Sequence, residues 1–294
     1  MSDKAWLAEQ FEANRSHLRS VAYRMLGSVT DADDAVQEAW IRLERSDARG
    51  VDNLRAWLTT VVGRVSLNML RSRKTRGEAP LEAHIPDPVV SPVDGVDPEQ
   101  ETLLGDSVGL AMLVVLDSLA PAERVAFVLH DVFAVPFDQI GPIVGRSPTA
   151  ARQLASRARR RVRGAPVPDV DLDKQWAVVD AFLAASRAGD FERLLAVLDP
   201  EVVLRSDGGA AQPGLTMLLR GPQAVAKQAV TFRRFATTAT RVLVNGIPAG
   251  VAWAPDGRPF AVVAHTVRGG RIVEIDVLMD PDRLGRLDLR EVTG

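Results

Sequence analysis

The chain contains no cysteine, one tyrosine and four histidines among its 294 residues. The absence of cysteine excludes disulfides, thiol redox sensing and zinc sites built from thiolates. The histidines are scattered, and the longest apolar run, residues 108–116, is about half a membrane span. Residues 1–10 carry acids and lack the apolar core of a signal peptide. We therefore expect a soluble cytosolic protein with no metal, no cofactor and no membrane partner.

Charged residues are segregated along the chain, although the formal net charge is only −2. Basic residues gather in 64–76 and 146–163, whereas the segment 77–106 carries eight acids. These acids are Glu78, Glu82, Asp87, Asp94, Asp97, Glu99, Glu101 and Asp106. Local fields steer association more than total charge does. The near-neutral total is therefore compatible with a nucleic-acid partner.

The segment from Val135 to Arg163 has the pattern of a helix-turn-helix. Ser147 and Pro148 form a good N-cap and first-turn pair for its second helix. An apolar stripe at helical spacing consists of Ala151, Leu154, Ala155, Ala158 and Val162. The opposite face carries Thr149, Arg152, Gln153, Ser156, Arg160 and Arg163. The first helix contains Gly141-Pro142, which predicts that it is short or kinked there.

Residues 146–163 contain seven arginines and no acid. A solvated surface helix usually mixes both signs and gains from pairs three or four residues apart. A helix without acids needs an external anion, and a DNA backbone supplies one. The alternative is an ordinary basic helix on the surface of a soluble protein.

Residues 5–76 have helical periodicity throughout. Thr30 to Asp33 opens a second helix with a capping hydroxyl and first-turn acids, and this helix runs to about Leu43. Its outward residues are Asp33, Asp34, Gln37 and Glu38. A third helix, from Leu54 to about Arg73, ends in a basic cluster. A capped surface helix and a solvated helix end are the alternative interpretations.

Two segments rich in proline divide the chain into 5–76, 107–164 and 172–290, with linkers at 77–106 and 165–171. In the last part, helices at 174–187 and 191–198, a strand at 201–206 and a helix from Gly221-Pro222 to about Phe235 precede four strand-like runs. The runs are 240–247, 249–254, 258–268 and 271–279. This order predicts an α+β domain with one curved antiparallel sheet against helices.

Residues 11–163 resemble the extracytoplasmic-function (ECF) sigma factors of bacterial RNA polymerase. The resemblance lies in VAYRMLGSVTDADDAVQEAWIRL (21–43), LRAWLTTVVGRVSLNMLRSRK (54–74) and RVAFVLHDVFAVPFDQIGPIVGRSPTAARQLASRARRRV (124–162). It implies that 5–76 is sigma region 2 and 107–164 is sigma region 4. Its implied partners are core RNA polymerase, through the β′ and β subunits, and promoter DNA.

The resemblance also implies residue roles. Polymerase binding falls on Asp34, Gln37 and Glu38. Contacts to the −10 element fall on Arg55, Trp57, Arg64, Asn68 and Arg71. Arg64 stands where family members often have asparagine, so the −10 base preference does not transfer. Contacts to the −35 element fall on Thr149, Arg152, Gln153 and Ser156 near the helix start, and on Arg157, Arg159, Arg160 and Arg163 for the backbone.

Residues 172–290 resemble a SnoaL-like domain of the nuclear transport factor 2-like fold, a cone-shaped α+β structure found in sigma factors of the sigma factor J type. The fold class is therefore multidomain, with two all-α domains followed by this α+β domain. Three motifs carry the resemblance: Ile85-Pro86-Asp87-Pro88 in the linker, Asp207-Gly208-Gly209, and Asp280-Pro281-Asp282-Arg283-Leu284. Family motifs here have a tryptophan before the first and a lysine in the second, and both are missing. The resemblance implies that the domain contacts the linker and regulates activity intramolecularly.

Relatives of this fold include enzymes, for which His265 and Asp276 would be the candidates. Steroid-isomerase chemistry needs a tyrosine near the oxyanion, and Tyr23 lies in another domain. We therefore expect no enzyme, no catalytic residue and no cofactor, with a small-molecule ligand as an open possibility. The alternative is a DNA-binding regulator fused to a ligand-binding or enzymatic domain. Dependence on core polymerase distinguishes the two.

Overall fold

The computed structural model describes residues 3–46, 53–75, 83–93, 109–233, 239–289 and 292. The chain divides into two compact units. Unit 1 comprises Met1–Ala79, Pro98–Asp106 and Val115–Ala165, and unit 2 comprises Pro80–Asp97, Ser107–Val114 and Pro166–Gly294. Both predicted sigma regions thus fall largely in unit 1, whereas part of the predicted linker belongs to unit 2. The sequence also predicts a loop at 47–52 and a helix that begins at Leu103. Both positions, with most of the linker acids, lie outside the described residues.

The first part of the chain is helical, as the periodicity predicts. Its helices are α1 (Asp3–Leu26), α2 (Val29–Arg45), α3 (Leu54–Thr75), α4 (Leu110–Asp117), α5 (Pro121–Phe127), α6 (Phe137–Val144) and α7 (Pro148–Val162), with a π-helical turn at Val128–Val132. Gly27 ends α1 with φ of 67°, a backbone conformation that glycine adopts without steric cost. The hydroxyl of Ser28, not that of Thr30, accepts the amide of Asp31 and caps α2. The helix therefore begins earlier than predicted.

Close helix packing holds unit 1 together. Phe11 of α1 meets Trp40 of α2 edge to face, with ring centroids 5.1 Å apart. A Cβ added to Gly63 of α3 would lie 3.3 Å from Cδ1 of Leu129, so the glycine allows α3 to approach the π-helical turn closely. Phe133, just after that turn, lies edge-on to His17 at 5.4 Å. The predicted regions 2 and 4 are therefore packed against each other within this unit.

Unit 2 is built on a seven-stranded sheet against which helices pack. Its elements are β1 (Val90–Ser91), α8 (Leu172–Ala188), α9 (Phe191–Val197), β2 (Leu198–Asp207), β3 (Met217–Arg220), α10 (Pro222–Thr231), β4 (Ala239–Val244), β5 (Ile247–Trp253), β6 (Pro259–Arg268), β7 (Arg271–Leu278) and α11 (Pro281–Leu284). The strand order is β1-β4-β5-β6-β7-β2-β3. The sequence pattern predicts neither β1 nor β3.

The sheet is mixed, so the prediction of a purely antiparallel sheet is wrong. The run β4 to β7 is antiparallel. Glycine-containing turns at 255–257 and 269–270 join β5 to β6 and β6 to β7, as predicted, whereas the turn from β4 to β5 falls at Asn245-Gly246, inside the predicted run 240–247. However, β2 pairs with β7 in parallel, from Leu198 opposite Ile272 to Asp207 opposite Leu278. Hairpin signals specify pairing only between neighbouring strands, and β2 and β7 are far apart in sequence. Their direction is decided by the packing of the whole domain.

Each face of the sheet buries a separate apolar cluster. The helix face packs against α8, α9 and α10 through residues such as Trp176, Phe182 and Val225. The opposite face, which we call the linker face, packs against Ile85, Val90, Leu110 and the C-terminal segment from Leu284. Within the described part of the chain, no helix is long and apolar enough to cross a membrane.

Candidate nucleic-acid interface

The helix-turn-helix is built around close approach of its two helices. A Cβ on Gly141 would lie 2.8 Å from the carbonyl oxygen of Arg146, so only glycine fits where α6 meets the turn. Gly145 ends α6 with φ of 68°, and the hydroxyl of Ser147 accepts the amide of Ala150 at 3.2 Å to cap α7. Helix α6 is eight residues long and contains Pro142. The prediction of a short first helix is confirmed.

Helix α7 buries its alanine stripe and exposes a polar face. Ala151, Ala155 and Ala158 are fully buried, because short side chains let α7 approach the helices beneath it. Thr149, Arg152 and Gln153 are exposed near the helix start, whereas Ser156 is half-buried. The guanidinium of Arg152 lies over the ring of Phe137, 5.4 Å from its centroid. That stacking restricts the side chain before any partner binds.

Three of the seven arginines have acidic partners on other helices. Glu123 of α5 accepts Nε of Arg157 at 2.6 Å and Nη1 of Arg161 at 2.9 Å, and Asp131 accepts Nε of Arg159 at 2.5 Å. The sequence argument that the arginines need an external anion is therefore wrong for these three, because tertiary packing supplies acids from elsewhere. Arg157, predicted to contact DNA, is tied to Glu123. Arg160 is exposed and has no ion pair among the described residues.

Helix α2 exposes the acidic residues predicted to bind a partner. Asp34 and Gln37 are exposed, and Glu38 is half-buried and pairs with Arg42 at 2.9 Å. Asp33 instead pairs with Arg19 of α1 at 2.6 Å. Of the described acids on this face, Asp34 is the one for which no ion pair appears. Its carboxylate is therefore available to an external cation.

Helix α3 presents a polar stripe of Arg64, Asn68 and Arg71, all exposed and spaced by four and three residues. Trp57 is half-buried.

Nη2 of Arg55 donates to Nδ1 of His17 at 3.0 Å. Burial, with the charges of Arg55 and Arg24, lowers the pKa of His17 to about 4. A neutral imidazole can accept that hydrogen bond, so His17 orients Arg55.

Comparison with known proteins agrees with this geometry. Residues 10–76 match Sigma-70 region 2, residues 110–162 match Sigma-70 region 4, and residues 179–275 match the SnoaL-like domain. The ECF RNA polymerase sigma factor SigJ of Mycobacterium tuberculosis is 38% identical, covering 96% of this chain and 94% of the relative. The chain belongs to the ECF RNA polymerase sigma factors. The predicted family, its three parts and its class as a transcription initiation factor are thereby confirmed.

Other relatives extend the agreement over the whole sigma factor. A probable ECF RNA polymerase sigma factor, SigI of Mycobacterium tuberculosis, is 35% identical, covering 98% of both chains. The crystal structure of Mycobacterium tuberculosis SigJ superposes with a TM-score of 0.78 at 36% identity, covering 94% of this chain and 97% of that one. The predicted fold, with helical sigma regions followed by a SnoaL-like domain, is confirmed.

In this sigma factor, the three predicted regulatory motifs meet within unit 2. Arg283 of α11 donates to Asp87 at 2.7 Å and to Asp207 at 2.8 Å, and its third contact is the carbonyl oxygen of Ile85. Asp207 also accepts the amide of Ile85 at 3.1 Å and lies 3.1 Å from Nδ1 of His84. We call Ile85, Asp87, Asp207 and Arg283 the linker clamp.

Burial acts to raise the pKa of Asp207, but the hydrogen bonds from His84 and the Ile85 amide, with the charge of Arg283, lower it to about 2. The carboxylate is therefore ionised at neutral pH. Gly209 packs directly on Asp280, since a Cβ there would lie 1.9 Å from a carboxylate oxygen of Asp280. Gly208 donates its amide to Thr216. Pro86 and Pro88 are buried, whereas Pro281 and Asp282 are exposed.

Sequence reasoning missed a second attachment of the linker. The amide of Val89 donates to Oδ1 of Asn245 at 3.1 Å, and the amide of Asn245 donates to the Val89 carbonyl at 2.9 Å. These bonds extend the pairing of β1 with β4. Asn245-Gly246 is the typical signal of a tight hairpin, and Asn245 adopts φ of 49°. The turn was visible in the sequence, but its distant partner was not.

The two candidate catalytic residues of the SnoaL-like domain lie on opposite faces of the sheet. His265 pairs in register with Ile275, and its neighbour in the next register position, Ala264, pairs with Asp276. Asp276 contacts Arg205 at 3.2 Å on the linker face, and its burial raises its pKa to about 7. His265 faces the helices. The pair cannot act on one substrate, and no cluster of described residues could hold a metal ion.

Proposed function

We propose that this sigma factor binds core RNA polymerase through the exposed face of α2 and contacts promoter DNA through α3 and α7. Its SnoaL-like domain would regulate those activities through the linker clamp. A protein with this role acts beside RNA polymerase, in the bacterial cytoplasm, and needs no catalytic residue of its own. The residue roles below are part of the proposal.

The exposed residues at the start of α7 support reading of the −35 element. A helix enters the major groove with its N-terminal residues against the base edges. Thr149, Arg152 and Gln153 occupy that end and are exposed. Arginine and glutamine make two-pronged contacts to guanine and adenine, respectively. Arg160, further along and unpaired among the described residues, suits a phosphate.

The polar stripe of α3 supports contact with the −10 element. Arg64, Asn68 and Arg71 follow one face of the helix and are exposed. Arg55 is oriented by His17. Exposed cations attract the phosphate backbone, and the asparagine amide can hydrogen-bond to bases.

The linker clamp is the observation that carries the regulatory part. Arg283 donates to the carboxylates of Asp87 and Asp207 and to the carbonyl oxygen of Ile85. Charge-assisted hydrogen bonds of this kind are about twice as strong as neutral ones. Because the linker joins region 2 to region 4, its attachment limits the arrangements that the two regions can adopt. A change at the clamp would therefore change promoter recognition.

Run-off transcription with purified core polymerase and a promoter library tests the initiation role. The full chain should produce transcripts only with core present, and Asp34→Lys should weaken core binding at least tenfold because it reverses the free charge on α2. Glu44→Lys, an exposed change on the same helix, is the matched control. Promoter-specific binding as tight without core as with it would instead favour a simple DNA-binding regulator.

Replacing Asp87 by Asn tests the regulatory role. It removes one carboxylate from Arg283 while Asp207 remains, so the domain stays folded. We expect faster hydrogen exchange at the amides of Ile85 and Val89, and a change in run-off yield of at least threefold. Asp173→Asn, exposed on α8, is the control. Faster exchange with unchanged transcription would refute regulation through the linker.

A further inference from the structure

Unit 2 contains a cavity of about 240 Å³ between the helix face of its sheet and helices α8 and α10. Most of its lining is apolar or aromatic, with Phe182, Phe232, Phe260, Val263 and Met279 among the residues. The initiation role proposed above makes no use of this space. Native interiors are close-packed, with few voids larger than a water molecule, so a cavity of this size is consistent with an occupant.

The volume limits the size of an occupant. An apolar cavity of about 150 Å³ accommodates benzene. By that scale, the cavity of about 240 Å³ accommodates a molecule of about two fused rings. Longer chains and polycyclic systems of four rings do not fit without movement of the walls.

Two buried polar groups in the lining lack hydrogen bonds. Neither ring nitrogen of His265 has a hydrogen-bond partner of good geometry, although the backbone of Pro248 lies beside the ring. The indole N–H of Trp176 is also buried without an acceptor. A buried group left unsatisfied keeps the full cost of its desolvation, and native proteins leave few such groups. An occupant carrying an oxygen would satisfy them.

The charge state of the lining selects an uncharged occupant. Burial lowers the pKa of His265 to about 4, so its imidazole is neutral at pH 7 and can donate or accept one hydrogen bond at each nitrogen. The charged residues of the lining are Asp180 and Arg241, which pair with each other and keep their side chains about half exposed, and Arg187, which is exposed. An ion in the buried part would lose its hydration without gaining a partner of opposite charge.

We propose that this cavity binds an uncharged compound of about two fused rings that carries a hydroxyl or carbonyl oxygen. The rings fill the space lined by phenylalanine and valine side chains. The oxygen bonds to His265 or to the indole N–H of Trp176, which are the unsatisfied groups of the lining.

The cavity adjoins the linker clamp through two strands. Ser206 and Met279 line the cavity, and the residues that follow them are Asp207 of the clamp and Asp280, against which Gly209 packs. The amide of Met279 donates to the carbonyl of Asp207 at 2.7 Å. A ligand that displaces the side chain of Ser206 or Met279 therefore acts next to Asp207, which holds the linker, or next to Asp280, which packs on Gly209. This consequence rests on the proposed regulatory function, whereas the binding itself does not.

Calorimetric titration of the full chain with three matched probes tests the binding. We expect 2-naphthol to bind with 1:1 stoichiometry, naphthalene to bind at least tenfold more weakly, and 2-naphthoate not to bind. The loss of one hydrogen bond, about 1.4 kcal/mol, corresponds to that tenfold factor. No saturable binding of 2-naphthol, or equal binding of the naphthoate, would overturn the proposal and leave a cavity that holds only water.

Variants localise the site. His265→Leu or Trp176→Phe, according to which residue holds the oxygen, should reduce the affinity for 2-naphthol about tenfold and leave that for naphthalene unchanged; an unchanged affinity in both variants would overturn the proposed hydrogen bond. Ala252→Phe places a ring in the cavity and should abolish binding of both, whereas Ala177→Phe, on the exposed face of α8, should not. If thermal denaturation shows Ala252→Phe to be unfolded, Ala261→Leu replaces it. Binding that survives a folded cavity-filling variant contradicts the site.

Hydrogen exchange at Ile85 and Val89, with and without 2-naphthol, separates the two claims. Altered exchange with altered run-off yield supports coupling of the cavity to the linker. Binding with unchanged exchange retains the ligand site and refutes the coupling. Unchanged run-off in the Asp87→Asn variant, by contrast, refutes regulation through the linker and leaves the ligand site intact.

Discussion

The two units use their arginines differently. On α7 of unit 1, the arginines lie at the surface, and the acids that hold three of them, Glu123 and Asp131, belong to other elements. In unit 2, Arg205 and Arg283 are largely buried, and each joins two carboxylates. In unit 1, positive charge therefore remains exposed beside the ion pairs. In unit 2, the charge of each arginine is compensated by carboxylates of the same unit.

Exposed and buried arginines should therefore differ in how much they contribute to stability. An exposed ion pair contributes little to stability, on the order of 0–1 kcal/mol, so Arg159, whose pair with Asp131 is exposed, can exchange its partner for a phosphate at small cost. Glu123, which pairs with Arg157 and Arg161, is largely buried. Breaking a buried pair leaves an uncompensated charge and costs about 3–5 kcal/mol. Arginine content alone, which is highest on α7, therefore says nothing about where arginine matters most for folding.

Removal of the clamp arginine should have the largest effect on stability. Arg283→Ala leaves Asp87 and Asp207 without their cation, and we expect the free energy of unfolding of unit 2 to fall by roughly 3 kcal/mol. Calorimetric melting compared with Arg286→Ala, an exposed change on the same segment, measures it. A loss no larger than that of the control would show that buried and exposed arginines are equivalent here.

Acid should destabilise both units through their neutral histidines. The contribution of His265 to this loss should be larger than that of His17. The folded pKa of each is about 4, below the value of 6.5 expected when unfolded. The unfolded chain therefore binds more protons, and the stability present above pH 6.5 is lost as the pH falls towards 4. The difference of about 2.5 pKa units for fully buried His265 corresponds to roughly 3 kcal/mol, and half-buried His17 should give less.

Unfolding measured between pH 7.5 and 4.5 checks this, with His265→Leu and His17→Leu each compared with the unmodified chain. His265→Leu should flatten the dependence of unit 2. An unchanged slope in that variant would assign the acid sensitivity to other groups.

Glu123 tests how firmly α7 is held. Glu123→Gln removes the charge shared by Arg157 and Arg161, and we expect unit 1 to lose about 1–2 kcal/mol of stability. Glu44→Gln serves as the exposed control. If Glu123→Gln lowers the affinity for non-specific DNA and leaves the stability of unit 1 unchanged, Glu123 does not hold α7 in place.

The smallest effects on stability should come from two exposed arginines of α7, which differ in the kind of DNA contact that each would make. Arg152→Ala should change which −35 sequences work, by roughly 1–3 kcal/mol at one base pair, whereas Arg160→Ala should weaken all promoters and lower the salt slope by about 1. Run-off yields on a −35 library at several salt concentrations measure both. Equal loss on every promoter for both variants would contradict the division between base and phosphate contacts.

Several features could be read from the sequence because their causes are local. The apolar stripe of α7, its Ser147 cap and the short helix at Gly141-Pro142 follow from side-chain spacing and backbone sterics. The hairpins β5–β6 and β6–β7 follow from their turn residues. The parallel pairing of β2, the β1–β4 contact and the partners of Arg157 do not, because each joins residues far apart in the chain.

The candidate sites divide in the same way. Spacing and resemblance identified the exposed residues of α2, α3 and α7 and the three regulatory motifs. Spacing could not reveal that Glu123 and Asp131 pair with arginines of α7, nor that Asn245 holds Val89. It also could not place His265 and Asp276 on opposite faces, since that depends on which strands cover each face.

By itself, the sequence determined the class of this protein, its order of parts and the polar face of α7, because helical period, caps and motifs act within a few residues. Tertiary structure alone decided which charges remain available. Packing brought Glu123 to Arg157 and Arg161, and brought Arg283 to Asp87 and Asp207, across up to 196 residues of chain. Coulomb attraction depends on distance in space and on burial, and neither can be read from separation along the sequence.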